Sequence, residues 1–226
     1  IDRLVSDGME QEEALYKVLK ETIIASQNIR FEGDGYSDEW KDEAARRGLT
    51  NICHVPEAIM KFNDPQSRSV LIGEKIFNEN ELNCRIEVEL EKFTKKVQIE
   101  SRVLGDLAIN HIVPTAVIYQ NRLLENLRGL KEIFSTEEYE EMTADRKDLV
   151  REIQRRILSI KKAVHDMTEA RKVANHLGSQ VEKAFSYEEK VRPYLEEIRE
   201  HIDSLELEID DEIWPLPKYR ELLFTK

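Results

Sequence analysis

The sequence has 226 residues, of which 40% are hydrophobic and 35% are charged, and its net charge is −12. This hydrophobic content is enough for one or two compact units with a buried core, which excludes a disordered tail, and the many charged residues favour long solvated helices. The negative charge would repel a phosphate backbone, so it argues against nucleic acid as a partner.

The first part of the sequence predicts short helices. Asp7 and Glu10 fit a capping box in front of a helix that ends at about Asn28. A glycine-containing turn over residues 31–36 follows, and Ser37 can cap a second short helix. Two more short helices are expected where a proline takes a first-turn position, at Pro56 and Pro65.

Three long helices are expected next. Apolar residues three and four apart predict the first over about residues 82–127, and Pro114 within it predicts a kink and not a stop. Capping boxes beginning at Ser135 and Ser186 mark the other two, which reach about Phe185 and Asp211. The predicted fold class is therefore all-α, with short N-terminal helices followed by an elongated antiparallel bundle of three long helices.

A proline- and aromatic-rich tail ends the chain. Residues 213–224 concentrate apolar side chains that need cover, and Pro215 and Pro217 keep them out of a helix. We expect the tail to pack against the short N-terminal helices, whereas the alternative is that it docks on another domain or a neighbouring subunit. The apolar site expected for it is formed by Tyr36, Trp40 and Leu49.

The sequence assigns no catalytic, cofactor-binding or metal-binding residue. None of the five histidines lies in a His-Glu-x-x-His or Glu-x-x-His motif, and Gly33-Asp34-Gly35 lacks the strand and the Gly-Lys-Ser/Thr of a phosphate loop. Cys53 and Cys84 are not spaced as a metal-binding pair, so both are interpreted as reduced packing residues. We expect no cofactor in this chain.

The sequence also predicts a soluble, cytoplasmic protein without a membrane partner. No apolar run approaches the roughly 20 residues that cross a bilayer, and no signal sequence precedes the first helical pattern.

The chain begins with Ile1, and its first residues read as the middle of a longer sequence, which predicts a fragment.

Three stretches of the sequence resemble one known family. Residues 31–49, which begin Phe-Glu-Gly-Asp-Gly-Tyr-Ser-Asp-Glu-Trp, resemble the segment that follows the catalytic barrel region of type III glutamine synthetases. Residues 102–116 resemble the C-terminal helical region of that family, and residues 214–224, beginning Trp-Pro-Leu-Pro, resemble its chain end. The resemblance identifies the chain as a C-terminal fragment of such an enzyme.

The resemblance implies a parent enzyme that uses ATP and a divalent metal, Mg or Mn, to make glutamine from glutamate and ammonia. Its catalytic groups are expected upstream, so the fragment itself is expected to be inactive and to have a structural, oligomer-supporting role. Residues 1–50 would be the last helices of the catalytic domain, and residues 51–226 would be a helical extension with a docked tail. The implied partners are the rest of the catalytic domain and neighbouring subunits of a ring oligomer.

A different interpretation treats the likeness as incidental. The chain would then be a free-standing coiled-coil interaction or scaffold protein, whose apolar faces dock partner helices. A bundle must bury such faces internally before any are free for binding, so we interpret them as core.

Overall fold

The computed structural model describes residues 1–224, with only the backbone described at Tyr219 and Arg220. Throughout residues 1–224 the regular secondary structure is helical, so the predicted all-α fold class is confirmed. Contacts divide the chain into two compact units, Ile1–Cys53 and His54–Lys226. No helix in residues 1–224 has the length and apolar content needed to span a membrane.

The first unit contains three α-helices and a short 3-10 turn. They are α1 (Asp2–Ser6), α2 (Gln11–Ala25), the 3-10 turn Gln27–Ile29 and α3 (Asp38–Arg46). The predicted capping box at Asp7 and Glu10 was wrong, because a turn occupies these positions: Asp7 ends α1, and the side chain of Glu10 caps nothing. Gly8 makes this turn possible, since its φ of 96° is unfavourable for other residues.

Arg47, which follows α3, stabilises the segment between α2 and α3. The guanidinium of Arg47 donates hydrogen bonds to the carbonyl oxygens of Gln27, Asn28 and Arg30. Ser37 Oγ accepts a hydrogen bond from the Trp40 amide at 3.2 Å, which confirms the predicted cap. These contacts give side-chain partners to backbone groups after the end of α2 and in the first turn of α3, where helical hydrogen bonding is incomplete.

Glu43 holds two arginines beside this loop. Its carboxylate accepts hydrogen bonds from the side chains of Arg46 and Arg47. The hydrogen bond from Arg46, followed by that from Arg47, lowers the pKa of Glu43 to about 2. The ionised carboxylate therefore orients the arginine that binds the loop carbonyls.

The second unit contains the long helices. It begins with α4 (Val55–Met60), the 3-10 turn Lys61–Asn63 and α5 (Pro65–Gly73), with prolines in their first turns as predicted. It continues with α6 (Glu79–Leu107), the π-helical turn Ala108–Ile112, α7 (Val113–Ile133), α8 (Thr136–Asn175), α9 (Gln180–Ser186), the π-helical turn Tyr187–Val191, α10 (Arg192–Glu208) and α11 (Tyr219–Leu222).

The helical backbone passes through Pro114 without a stop, as predicted. The five residues before α7 form a π-helical turn, whose wider ring accommodates the proline in the next turn. The extra residue of the π turn shifts the buried face. Ala116 is buried, whereas Val117 and Leu124, which continue the apolar spacing of three and four in the sequence, are exposed.

Two serine patterns that look alike in sequence behave differently. Ser135 and Glu138 form the predicted capping box at the start of α8. The predicted box at Ser186 was wrong, because Ser186 is the last residue of α9 and the helical backbone continues from it into the π turn. The break between the long helices lies earlier, between Asn175 and Gln180, where the chain contains Gly178.

The core of the second unit is built where its long helices meet. Helix α8 packs against α7 and α10, and α6 packs against α9. The side-chain amide of Gln120 on α7 donates to the carbonyl oxygen of Val150 on α8 at 3.1 Å. The antiparallel, elongated arrangement of three long helices stays a prediction. The largest fully buried side chains are Tyr187, Leu82, Leu90, Ile112, Ile153, Ile160, Met167, Ile198 and Leu205.

The tail packs in a place that the sequence did not indicate. Trp214 is only 8% exposed and lies in the core of the second unit, so the prediction that it packs against the N-terminal helices was wrong. A turn brings it there, because the amides of Ile213 and Trp214 both donate to the carbonyl oxygen of Asp210. Tyr36, part of the site expected for the tail, is 96% exposed.

Lys218 connects the tail to the end of α10 through hydrogen bonds. Its ammonium donates to the carbonyl oxygens of Glu206 and Ile209 at 2.6 and 2.9 Å. It also pairs with Asp211 and lies 5.8 Å from the centre of the Trp214 ring. The cation thus satisfies carbonyl groups that the helix end leaves without intrahelical donors. The last apolar side chains, Leu222, Leu223 and Phe224, are exposed.

Candidate functional site

The side chains that most often hold metals do not converge in this structure. Within residues 1–224, no three His, Cys, Asp or Glu side chains lie close enough together to hold a metal ion. The sequence-based assignment of no catalytic, cofactor-binding or metal-binding residue stays a prediction.

The interpretation of the cysteines as packing residues was wrong, because Cys53 and Cys84 are both exposed. Cys84 lies two residues from both Leu82 and Ile86, so it faces away from the side of α6 that they bury.

A buried carboxylate lies in the second π-helical turn. Glu188 is 6% exposed, and its Oε1 accepts a hydrogen bond from Arg192 Nη1 at 2.7 Å. Nδ1 of His54 lies 2.8 Å from the same oxygen. The other oxygen, Oε2, is buried without a hydrogen-bond partner among the described residues. These three side chains form the Glu188 cluster.

The Glu188 cluster is suited to positioning and not to bond making. It offers a carboxylate, an imidazole and a guanidinium, and among the described residues no Ser or Cys nucleophile is hydrogen-bonded to the carboxylate or the imidazole. Its effect is to fix His54, at the start of the second unit, to the helix that contains the π turn. The carboxylate is buried but both of its partners reach solvent, so these contacts fix an arrangement and add only modest stability.

Sequence reasoning missed the Glu188 cluster. Glu188 was placed inside the supposed capping box at Ser186, and His54 is 134 residues away. The spacing of four between Glu188 and Arg192 is a usable signal, since such residues are neighbours on a helix. No local pattern points from His54 to Glu188.

Several open grooves border α6, and two of them differ in chemistry. The larger has a volume of about 740 Å³ and is lined by Ile76, Phe77, Cys84, Arg85 and Val88 among others. The smaller, of about 410 Å³, mixes the cations Lys92, Lys96 and Arg192 with the anions Glu89 and Glu100. The mixed charge of the smaller groove gives no preference for a phosphate or for a metal ion.

The first unit presents an apolar surface on α2. Leu15, Leu19 and Ile23 are four residues apart, so they lie on one face of the helix, and they are 44%, 52% and 52% exposed. Tyr16 lies beside them and is also exposed. We call these four side chains the α2 stripe. Their chemistry is that of a surface that packs against another protein surface.

Comparisons with known proteins agree in the family that they indicate. Residues 14–131 match the family model described as the glutamine synthetase C-terminal domain. A glutamine synthetase of Bacteroides fragilis (strain YCH46) is 74% identical over 226 residues, which are 100% of this chain and 31% of that protein. A type-3 glutamine synthetase of Dictyostelium discoideum is 27% identical over 94% of this chain and 29% of its own length. A glutamine synthetase of Butyrivibrio fibrisolvens is 28% identical over 96% of this chain and 31% of its own length.

The chain therefore spans about a third of the length of these relatives. The family match covers just over half of the chain and includes most of α2 and all of α3 and α6, so it extends over parts of both compact units. A match of this extent does not fit the alternative in which the likeness is incidental. The chain belongs to the glutamine synthetase C-terminal domain family.

Proposed function

We propose that this chain is the C-terminal helical region of a longer glutamine synthetase, which joins glutamate and ammonia into glutamine with ATP. One observation carries the proposal: the relatives named glutamine synthetase align with 94–100% of this chain, whereas the chain covers only 29–31% of their length. The remaining part of such a polypeptide would supply the groups that bind ATP, glutamate and a divalent metal such as Mg or Mn.

The residues of this chain do not fit a metal site of their own. The described part brings together no three potential ligands, and the sequence contains no Gly-Lys-Ser/Thr phosphate loop. No step of glutamine formation is assigned to these side chains. In the parent enzyme, the chain would act on the catalytic groups through packing.

The proposed role of the chain is structural. Residues 1–50 would complete the catalytic domain as its last helices, and residues 51–226 would be a helical extension with a docked tail that supports contacts with neighbouring subunits of a cytoplasmic ring oligomer. Two features support different roles for residues 1–50 and residues 51–226. The second unit has a large core of its own, and the first unit leaves large apolar side chains exposed.

Truncation tests the proposal. Glutamine formation and particle mass would be compared for the intact parent polypeptide and for a version that ends near Thr50. We expect the truncated protein to lose its native oligomeric state and, with it, activity. An intact parent that forms no glutamine would refute the proposed reaction, and a truncated parent with unchanged mass and activity would refute the structural role.

A further inference from the structure

The first unit buries little of its own apolar surface. In residues 1–53, all of which are described, the buried hydrophobic side chains are two alanines, Ala14 and Ala44. The large apolar side chains that stay exposed in the same unit are Ile1, Val5, Leu15, Tyr16, Leu19, Ile23, Ile24, Ile29 and Tyr36. Burial of large side chains is what stabilises a small domain, so two buried alanines are insufficient for a fold of this length.

The α2 stripe has the geometry of one half of a helix-packing interface. Leu15 and Ile23 are eight positions apart, which is about 12 Å along the helix axis, and Leu19 lies midway between them. Ala14 occupies the side of α2 that is already buried. The exposed stripe is therefore a second face of the helix, available for an apolar surface of similar length on another element.

We propose that the α2 stripe docks on the part of the glutamine synthetase polypeptide that lies outside this chain, an inference that rests on the proposed function. More than two thirds of each relative lies outside the region that this chain matches. The matched family region begins at Ala14 and contains all four stripe residues. The docking surface is an apolar face of a helix or sheet in the same polypeptide.

The size of the stripe favours a partner in the same polypeptide over a second copy of the chain. Four partly exposed side chains of this kind present on the order of 400 Å². A stable interface between separate proteins buries roughly 800 Å² on each partner, about twice as much. Linkage in one polypeptide removes this requirement, because it gives the partner surface a high effective concentration.

Hydrogen exchange of α2 tests the docking directly. Amide exchange over residues 11–25 would be measured in the 226-residue chain and in the longer polypeptide without substrates. We expect exchange about tenfold slower, or slower still, in the longer polypeptide, because docking opposes local opening of the helix. Equal exchange rates in the two proteins would overturn the inference.

A pair of substitutions identifies the stripe as the docking surface. Leu19→Asp places a charge in the stripe, and the matched control Lys17→Asp places the same residue on an exposed position of a different face of α2. In the longer polypeptide, Leu19→Asp should abolish most of the slowing of exchange and Lys17→Asp should preserve it. In the 226-residue chain, neither variant should change the melting temperature or the mass.

Two results would assign the stripe to another partner and overturn the inference. A dimer of the 226-residue chain that Leu19→Asp dissociates would make a second copy the partner. A melting temperature of this chain that Leu19→Asp lowers and Lys17→Asp does not would show that the chain covers its own stripe. Glutamine formation is measured separately, so slow exchange of α2 in a longer protein without synthetase activity would refute the proposed function and leave the docking intact.

Discussion

Replacing Trp214 with alanine should destabilise the second unit strongly. The indole is 8% exposed, and burial of a side chain of this size removes about 150–250 Å² from water. At roughly 25 cal/mol per Å² this corresponds to about 4–6 kcal/mol, an upper value because the unfolded chain already buries part of the same surface. Loss of the Lys218 contact adds about 0.5–1 kcal/mol.

One feature of the site reduces this cost. Trp214 Nε1 is buried without a hydrogen-bond partner among the described residues, so alanine relieves a desolvation penalty of about 1–3 kcal/mol. The expected loss for Trp214→Ala is therefore about 3–5 kcal/mol, the usual range for removal of a buried tryptophan. Trp214→Phe, which keeps an aromatic ring and lacks the unpartnered N–H group, should cost less than the alanine variant.

Urea unfolding followed by circular dichroism at 222 nm measures this loss, because the long helices of the second unit dominate the signal. Tyr36→Ala is the control, since Tyr36 is 96% exposed and its removal should leave the midpoint unchanged. A Trp40→Phe background isolates the fluorescence of Trp214 for acrylamide quenching. If Trp214→Ala unfolds at the wild-type urea concentration and acrylamide quenches Trp214 fully, the assignment of Trp214 to the core is wrong.

Three further perturbations have defined outcomes. Glu188→Gln weakens the contacts with Arg192 and His54, so it should lower the free energy of unfolding by about 1–2 kcal/mol in urea titrations. The loss stays this small because both partners reach solvent and can be hydrated when the charge is removed. An unchanged midpoint would contradict the role of the Glu188 cluster. Glu43 has a pKa of about 2, below its ordinary value of 4.5, so its stabilising effect is complete above about pH 4.5 and is lost as the pH falls towards 2. Amide protection over residues 26–37, taken relative to the intrinsic exchange rate at each pH, should fall across this window in the wild type and show no such step in Glu43→Gln. Ser135→Ala removes the cap of α8 and should cost about 1 kcal/mol in thermal unfolding, and a melting temperature equal to that of the wild type would argue against the cap.

Local patterns predicted the features that depend on local chemistry. The apolar spacing from Leu82 onwards identified the buried face of α6, and Ser37 and Ser135 were recognised as helix caps because a cap needs only its own next turn. Ser186 shows the limit of this reasoning. Its sequence matches a capping box as well as that of Ser135, but Tyr187 next to it is fully buried, and that packing keeps the backbone helical.

Features that depend on distant contacts had no comparable signal. The partner of Glu188 is His54, 134 residues away, and neither neighbourhood is unusual in composition. The tail was recognised as apolar, yet its location was wrong, because the core that Trp214 joins is assembled from helices that are distant in the sequence. The candidate docking surface on α2 could not be recognised from the sequence either. The spacing of Leu15 and Leu19 predicts a buried helix face, but it does not show whether the surface that buries it lies in this chain.

The π-helical turn Tyr187–Val191 also fixes how many residues the chain can have there. Ala184 on one side of it packs with the cluster around Leu82, and Ile198 on the other side packs in the main core. A π turn contains one residue more than the α-helical turn that would replace it, and each residue rotates a helix by about 100°. Deleting a single residue here would leave a regular helix, but Ala184 and Ile198 could no longer both face their clusters. The number of residues at this point is therefore more constrained than in an ordinary surface helix. This constraint holds even at positions where the residue type can vary freely.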